Sequence, residues 1–256
     1  MKPILAMAVN NTDENERYKY THETITSLLE NGIQFKSKIH IIVNGSCAKT
    51  LDFVKKLPIV IKVIINNENI GTARAINKAW LLKEPNQHCI KMDDDCVIKS
   101  STWIEEMIEA IERQPKIGIV GLKRKDCTEY PGNPNPDLNS ELLMLPHKMG
   151  QKWIIAEKQP HILGTCQMYN YKLLEMMGYL YQPGLYGYDD VIASHKSHIA
   201  GFINVMLPHI EIDHIDTGAT PYQHWKEKTA GEVTQQVITE VNEMLQGIRP
   251  IYQSYY

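Results

Sequence analysis

Three consecutive aspartates, Asp93, Asp94 and Asp95, directly follow an apolar run that ends at Met92. Side chains alternate along an extended chain, so we expect Asp93 and Asp95 to point to one side and Asp94 to the other. Two carboxylates on one side of a strand end suit a hard divalent cation such as Mg²⁺ or Mn²⁺. The competing interpretation is a solvated acidic turn, or a cap for the helix predicted to begin near Ser101.

A polar turn leads from Asn66 through Gly71 into a second predicted helix. The N-terminus of a helix offers free amide groups and the positive end of the helix dipole, and Arg74 adds a fixed cation. Together these features suit a phosphate group. Similar turns precede many helices that bind nothing, so this signal is weak when taken alone.

A further acidic pair, Asp189 and Asp190, stands at the start of a predicted helix. Such a carboxylate is either an N-cap or a general base beside the metal site. Three histidines late in the chain, His209, His214 and His224, are candidates for an additional metal ligand. A surface or core role is the more frequent one for any single histidine.

The elements that must position these residues alternate regularly in the first half of the chain. Apolar runs of strand length are separated by helical patterns, which predicts βαβ units and a mainly parallel sheet. Ligands bind at the carboxyl ends of the strands in such sheets, so we expect the polar residues after each run to meet there. The runs are residues 4–9, 39–43, 59–65, 88–92 and 117–122, and the helical patterns are residues 21–29, 48–56, 71–82 and 101–112.

The second half of the chain is less regular. Residues 123–151 are rich in Pro, Gly and Asn and are predicted to form a long loop, of a length that is usually functional. A stripe of Val233, Val237, Val241 and Leu245 predicts an amphipathic helix that packs on the domain or on a second copy of the chain. The remaining predicted strands are residues 153–155, 161–168 and 202–212, and the predicted helices are residues 172–177, 190–200 and 232–245.

Composition limits the classes of protein that this sequence can belong to. The chain has 256 residues, 43% of them hydrophobic and 22% charged, which indicates one globular domain with or without a subdomain. A net charge of −3 argues against a broad nucleic-acid-binding surface. The five cysteines form no CxxC pair, and the apolar stretch at the start is too short for a signal peptide or a membrane span. We therefore expect a cytoplasmic protein with reduced thiols.

The order of these motifs resembles that of the family 2-type inverting glycosyltransferases with the GT-A fold, over roughly residues 3–218. The matching stretches are Asn44-Gly45-Ser46, Asn69-x-Gly71 followed by Asn77, the three aspartates from Asp93, and Gly187-Tyr188-Asp189-Asp190 with His214 beyond. The resemblance implies an α/β fold, a Rossmann-like αβα sandwich with a mainly parallel central sheet. It also implies a glycosyltransferase domain over residues 1–225, followed by a C-terminal amphipathic helix and tail over residues 226–256.

The resemblance also implies which residues bind the donor, a nucleoside diphosphate sugar and most readily a UDP-sugar. Asn44 stands where the family often has an aspartate that contacts the nucleotide base. Asn69, Gly71 and Arg74 are implied to lie near the diphosphate. The aspartate motif is implied to bind the ribose and the metal, with Asp93 and Asp94 among its donor-binding residues.

The implied metal, Mn²⁺ or Mg²⁺, has Asp95, Asp93 and His214 as its expected ligands. Asp190 occupies the position of the general base. Asp189 stands where the family commonly has a glutamate, and it is expected as the second catalytic residue, in contact with the acceptor. The resemblance thus implies metal-dependent inverting transfer of a sugar to an acceptor hydroxyl. A glycan or lipid-linked acceptor is expected, in surface polysaccharide or glycan synthesis.

Two alternatives to an active transferase stay open. One is a catalytically silent protein that binds nucleotides or glycans. The other is a sugar nucleotidyltransferase, although residues 10–15 after the first strand lack the glycine-rich loop typical of that class. No nucleic-acid partner is expected. A lipid-linked acceptor would be met at the inner membrane surface, and the C-terminal stripe with Tyr252, Tyr255 and Tyr256 is compatible with a homodimer.

Overall fold

The computed structural model of the chain describes residues 1–126, 141–148, 152–216, 218 and 221–255. Most of the predicted loop over 123–151, together with Cys127 and Tyr256, lies outside these residues. The four cysteines within them, Cys47, Cys89, Cys96 and Cys166, are free thiols.

The described residues form ten strands, seven α-helices and a short 3₁₀ helix at Ile33–Phe35. The strands are β1 Ile4–Val9, β2 Lys38–Asn44, β3 Lys62–Asn66, β4 Cys89–Met92, β5 Cys96–Ile98, β6 Ile117–Arg124, β7 Leu142–Pro146, β8 Trp153–Lys158, β9 Cys166–Tyr169 and β10 Ile203–His214. The helices are α1 Tyr18–Glu30, α2 Ala48–Val54, α3 Thr72–Trp80, α4 Trp103–Arg113, α5 Tyr171–Met177, α6 Asp189–Ile199 and α7 Pro221–Leu245.

The strands form one sheet in the order β3-β2-β1-β4-β9-β6-β10-β8-β7, and β5 pairs with the end of β10. β3, β2, β1 and β4 are mutually parallel, and β6 is parallel to β10. β9 runs antiparallel between β4 and β6, and β7 and β8 extend the sheet as an antiparallel pair. The predicted α/β class with a mainly parallel central sheet is confirmed.

Both faces of the sheet are covered by helices, as the alternation along β1 requires. Leu5, Met7 and Val9 belong to a core with buried residues of α1, α2 and α4. Ile4 and Ala6 point to the opposite face and pack with residues of α3, α5 and α6. The chain therefore forms an αβα sandwich whose strand ends lie between two helical layers.

Several predicted elements differ from the observed ones. β7 lies inside the segment predicted as a loop, where Leu142–Pro146 pairs with β8 in spite of the surrounding prolines and glycines. β5 is only three residues long, too short to give a periodic signal. β3 begins at Lys62 because Pro58 opens a turn, closed by the hydrogen bond from Ile61 N to Pro58 O, that leaves Ile59 fully exposed.

Two further boundaries moved. A strand was predicted over residues 161–168, and the observed strand is Cys166–Tyr169. The last helix was predicted to begin at residue 232, and α7 begins at Pro221. The predicted helix relied on its apolar stripe, and Val237 and Val241 of that stripe pack on Ile192 of α6. No helix within the described ranges combines the length and the apolar character that crossing a membrane requires.

His40, in the middle of β2, gives the fold a dependence on pH. Its side chain is buried, and burial, reinforced by Lys62 and Lys38, lowers the pKa of His40 to about 4. The unfolded chain binds this proton with an ordinary pKa of about 6.5, so protonation favours unfolding as the pH falls. We expect His40 to contribute a loss of about 2 kcal/mol in the free energy of unfolding between pH 7 and pH 5.

The variant His40→Leu should lose that contribution, and urea denaturation at the two pH values measures it. His224→Leu, at a histidine whose side chain is 90% exposed, is the matched control and should follow the wild type. If His40→Leu and the wild type lose equal stability between pH 7 and pH 5, His40 is not the acid-sensitive group.

Candidate active site

A pocket of about 460 Å³ opens at the carboxyl ends of β1, β2 and β4. The turn before α6 and the first turns of α7 close its other sides. The structure brings most of the residues predicted for the site to this pocket. They are Asn44, Asn69, Asp93, Asp94, Asp95, Asp189, Asp190 and His214.

The aspartate motif is a bend and not a continuation of β4, so the expected alternation of its side chains is wrong. Asp94 and Asp95 share one partner, with the Nη2 atom of Arg17 3.0 Å from Asp94 Oδ1 and 2.7 Å from Asp95 Oδ2. Asp93 lies apart from them, 3.8 Å from the Nζ atom of Lys91. Strict alternation requires an extended backbone, and the chain turns at these residues before β5 begins.

Arg17, at the N-terminus of α1, is the shared cation partner of the carboxylates at this end of the sheet. It is 3% exposed and also pairs through its Nη1 atom with Asp216, which follows β10. The ring of Tyr222 lies 4.4 Å from the guanidinium carbon of Arg17. One cation therefore joins α1, the aspartate motif and the segment that leads to α7.

His214 reaches the aspartate motif because β10 ends beside β5. His214 pairs with Cys96 in the antiparallel register, and its Nε2 atom lies 3.5 Å from Asp95 Oδ2. Burial opposes ionisation of Asp95, but His214 and Arg17 outweigh it and hold the pKa of this carboxyl well below its usual value. His209 and His224 lie elsewhere, His209 beside Glu106 and His224 on an exposed face.

The donor set of Asp95 and His214 suits Mn²⁺ or Mg²⁺ with part of the coordination left to a ligand. The Oδ1 atom of Asp95 is buried and has no hydrogen-bond partner among the described residues, as expected of an atom kept for a cation. Within those residues, no three His, Cys, Asp or Glu side chains form a group that could hold a metal ion. The expected ligand set of Asp93, Asp95 and His214 is therefore not brought together: Asp95 and His214 lie side by side, whereas Asp93 lies toward Lys91.

Burial raises the pKa of Asp93 to about 6 against the attraction of Lys91, and Asp95 and Asp189 add to the rise. Lys91 itself is buried in β4, 2.7 Å from Asp189 Oδ2. Asp189 is thus paired with a buried lysine that lines the same pocket, whereas the sequence predicted that it would contact an acceptor.

Asp190 is held in place by three contacts. Its Oδ2 atom accepts a hydrogen bond from Gly164 N at 2.9 Å and lies 3.2 Å from His161 Nε2, and its Oδ1 atom accepts one from Val191 N. Burial disfavours the charged form, but His161 and Lys91 outweigh it and lower the pKa of Asp190. Asp190 is therefore an ionised carboxylate at neutral pH, able to accept a proton.

The polar turn predicted to bind phosphate is held together by Asn44. Asn44 Oδ1 accepts hydrogen bonds from Asn66 Nδ2 and Ile70 N, and its Nδ2 atom donates to Asn69 Oδ1 at 2.8 Å. Gly71 directly precedes α3 with φ +88°, and a Cβ atom there would lie 3.1 Å from the backbone oxygen of Gly184. Arg74 is exposed on α3 and is not among the described residues that line the pocket.

Aromatic side chains from α7 and from the turn before α6 form another wall of the pocket. The rings of Tyr222 and Trp225 are stacked, with centroids 5.3 Å apart and planes 15° apart, and Tyr186 lies 5.8 Å from Trp225. The ammonium group of Lys226 lies over the rings of Tyr222 and Tyr186 and 3.7 Å from Asp216. The wall thus combines flat apolar surfaces with a cation.

Among the residues of this site that sequence reasoning missed are Arg17, Lys91, His161, Asp216 and Trp225. A charged Lys91 between two apolar residues of a buried strand was a usable signal, since lysine is rarely buried without a partner. The other four residues had no such signal, because their proximity depends on contacts between distant parts of the chain.

The sequence profile of glycosyl transferase family 2 matches residues 14–178, which is more than half of the chain. The protein belongs to this family. A comparison with curated proteins gives no match.

Solved structures support the fold assignment. The mannosyltransferase PcManGT from Pyrobaculum calidifontis in complex with GDP-Man and Mn²⁺ superposes with a TM-score of 0.63 at 14% identity, over 88% of this chain and 60% of that one. GalNAc-T7 with UDP, GalNAc and Mn²⁺ gives 0.60 at 14%, over 83% and 43%. TarS 1–349 of S. aureus in complex with UDP-GlcNAc gives 0.59 at 15%, over 85% and 61%. The chain has the GT-A fold and spans about two fifths to three fifths of the length of these structures.

Arg17 gives a testable stability prediction. Replacing it by methionine leaves Asp95 and Asp216 buried without their shared cation, so we expect Arg17→Met to lower the free energy of unfolding by about 3–5 kcal/mol. Lys55→Met removes an exposed lysine that pairs with the exposed Asp52 of α2, and should cost less than about 1 kcal/mol. Denaturant unfolding measures both, and equal small losses would contradict a central role for Arg17.

Proposed function

We propose that the protein is a metal-dependent inverting glycosyltransferase that moves a sugar from a nucleoside diphosphate sugar to an acceptor hydroxyl. The observation that carries this proposal is the position of Asp190. This carboxylate, kept ionised by His161 and Lys91, lines the same pocket as Asp95 and His214. In a single-step displacement at a sugar carbon, such a base takes the proton of the acceptor, and a cation held by the pair would stabilise the departing diphosphate.

We propose that the donor binds on the side of the pocket formed by the aspartate motif and His214, which is called the donor half below. Asp95 and His214 would hold Mn²⁺ or Mg²⁺ together with oxygens of the diphosphate. Bound there, the cation would stabilise the negative charge of the departing diphosphate. Asp93 would accept hydrogen bonds from the ribose, while Asp94, fixed by Arg17 and by Thr21 Oγ1 at 2.5 Å, would keep the bend in shape.

The nucleotide is proposed to lie along the polar turn, with Asn69 and Gly71 near the diphosphate. Asn44 would act by holding this turn in position, because both ends of its side-chain amide are engaged within the protein. A role for Arg74 at the diphosphate stays a prediction. A UDP-sugar is the donor to test first, since GalNAc-T7 and TarS were solved with UDP and UDP-GlcNAc, and a GDP-sugar is second, after PcManGT.

The acceptor is proposed to enter beside the aromatic wall of Tyr186, Tyr222 and Trp225, since flat aromatic faces suit the apolar faces of sugar rings. Its hydroxyl would donate a hydrogen bond to Asp190, and Asp190 would take the proton as the hydroxyl oxygen bonds to the anomeric carbon. We propose a glycan or lipid-linked acceptor of surface polysaccharide synthesis, met at the cytoplasmic face of the inner membrane. A homodimer stays a prediction.

The proposal is tested by measuring transfer from a panel of UDP- and GDP-sugars, with and without Mn²⁺. We expect Asp190→Asn to lower kcat about 100-fold or more, because a positioned base contributes about 10²–10⁴ in rate. Its affinity for UDP and Mn²⁺, measured by calorimetry, should stay within about threefold of the wild type, because Asp190 is not expected to touch the nucleotide. Asp95→Ala should lose both transfer and metal-dependent UDP binding.

Asp52→Asn is the matched control, because this aspartate is exposed on α2 away from the pocket. It should keep wild-type rates. Wild-type activity in Asp190→Asn and Asp95→Ala would contradict the assignment of the site. UDP binding without turnover across the whole donor panel would instead favour a catalytically silent binding protein.

A further inference from the structure

Lys91 is a charged residue in the interior of β4, with Ile90 and Met92 on either side of it. It is only 3% exposed, and a buried ammonium group is stable only when other charges compensate for its lost hydration. Its Nζ atom lies 2.7 Å from Asp189 Oδ2 and 3.8 Å from Asp93 Oδ1. Asp189 is thus its close partner and Asp93 a more distant one.

The close partner belongs to another part of the fold. Asp189 is the first residue of α6, whereas Lys91 is fixed in the central sheet, so their ion pair ties the start of the helix to the strand. The two residues before Asp189, Gly187 and Tyr188, have φ values of +91° and +65°. A turn with two left-handed residues sets the direction of the helix sharply, and the ion pair anchors it at its first residue.

The backbone at Gly164 fits between Lys91 and Asp190. A Cβ atom at residue 164 would lie 2.8 Å from Lys91 Nζ and 3.2 Å from Asp190 Oδ2. Gly164 N donates its hydrogen bond to the same Oδ2 atom. Asp190 is therefore packed against a backbone segment that itself packs against Lys91, and a shift of either neighbour moves this carboxylate.

We propose that Lys91 is a positioning residue, which anchors Asp189 and thereby aims the adjacent Asp190 at the acceptor hydroxyl. The inference rests on the proposed function, because it assigns the base role to Asp190. It gives Asp189 a different task from the acceptor contact expected from the sequence. Lys91 lines the pocket, but in this scheme its charge is engaged by Asp189, and its effect passes through the first turn of α6.

The experiment compares Lys91→Met, Asp189→Asn and the double variant with the wild type. Methionine is unbranched and only one atom shorter than lysine, and it carries no charge. We expect Lys91→Met to lower kcat about 10- to 100-fold, since small displacements of a catalytic group have effects of this size. The affinity for UDP and Mn²⁺ should stay within about threefold of the wild type, because the donor half keeps its ligands.

Both single variants break the same link, so the double variant should be no slower than Lys91→Met alone. It also removes both charges and leaves neither buried without a partner, which keeps a folded protein available if a single variant fails to fold. Lys116→Met is the matched control at an exposed lysine outside the pocket and should behave as the wild type.

A second measurement does not depend on turnover. His161 lies 3.2 Å from Asp190 Oδ2, so the ring resonances of His161 report the position of that carboxylate in NMR spectra. We expect Lys91→Met to shift these resonances in the same direction as Asp190→Asn, while the resonances of the exposed His224 stay unchanged.

Wild-type kcat in Lys91→Met, unshifted His161 resonances, or a loss of UDP affinity as large as the loss of kcat would each overturn the proposal. The last result would assign Lys91 to the donor half through Asp93. A wild-type protein without turnover on any donor would instead overturn the proposed function. In that case the His161 resonances alone decide whether Lys91 fixes the position of Asp190.

Discussion

The structure depends above all on cations that balance the negative charge of carboxylates at one edge of the sheet. Asp94, Asp95 and Asp216 are buried there, and they are tolerated because Arg17 reaches all three. The cation stands at the N-terminus of α1, so the packing of that helix and the charge balance of the pocket cannot vary independently. Lys91 balances the charge of the buried Asp189 in the same way, at the start of α6.

Much of the fold followed from the sequence, because the first half of the chain repeats one simple unit. The runs at residues 4–9 and 117–122 are apolar on both faces, as strands between two helical layers must be, and both became central strands of the sheet. β7 was not predicted because three of its five residues are largely exposed, and the strand is formed by pairing with β8. The early start of α7 was hidden because Tyr222 and Trp225 face a pocket, which leaves no apolar stripe in those turns.

The site was predictable only where chemistry is concentrated in short motifs. Asp93, Asp95 and Asp190 come together because each follows or begins an element at the same end of the sheet. Arg17 and Asp216 are 199 residues apart, and their contact is set by the closure of the whole sandwich, which local patterns do not encode. The orientation of Asp94 was wrong for a local reason, since a bend replaced the extended backbone assumed for the motif.

The hydrogen bonds of Asn44 limit how this sequence can change over evolutionary time. Its amide donates to Asn69 Oδ1, an atom that also accepts from Gly71 N. An aspartate at position 44 would have no donor for that oxygen and would set two acceptors against each other. A substitution at position 44 alone therefore destabilises the turn unless residue 69 changes with it, so the two positions are constrained as a pair.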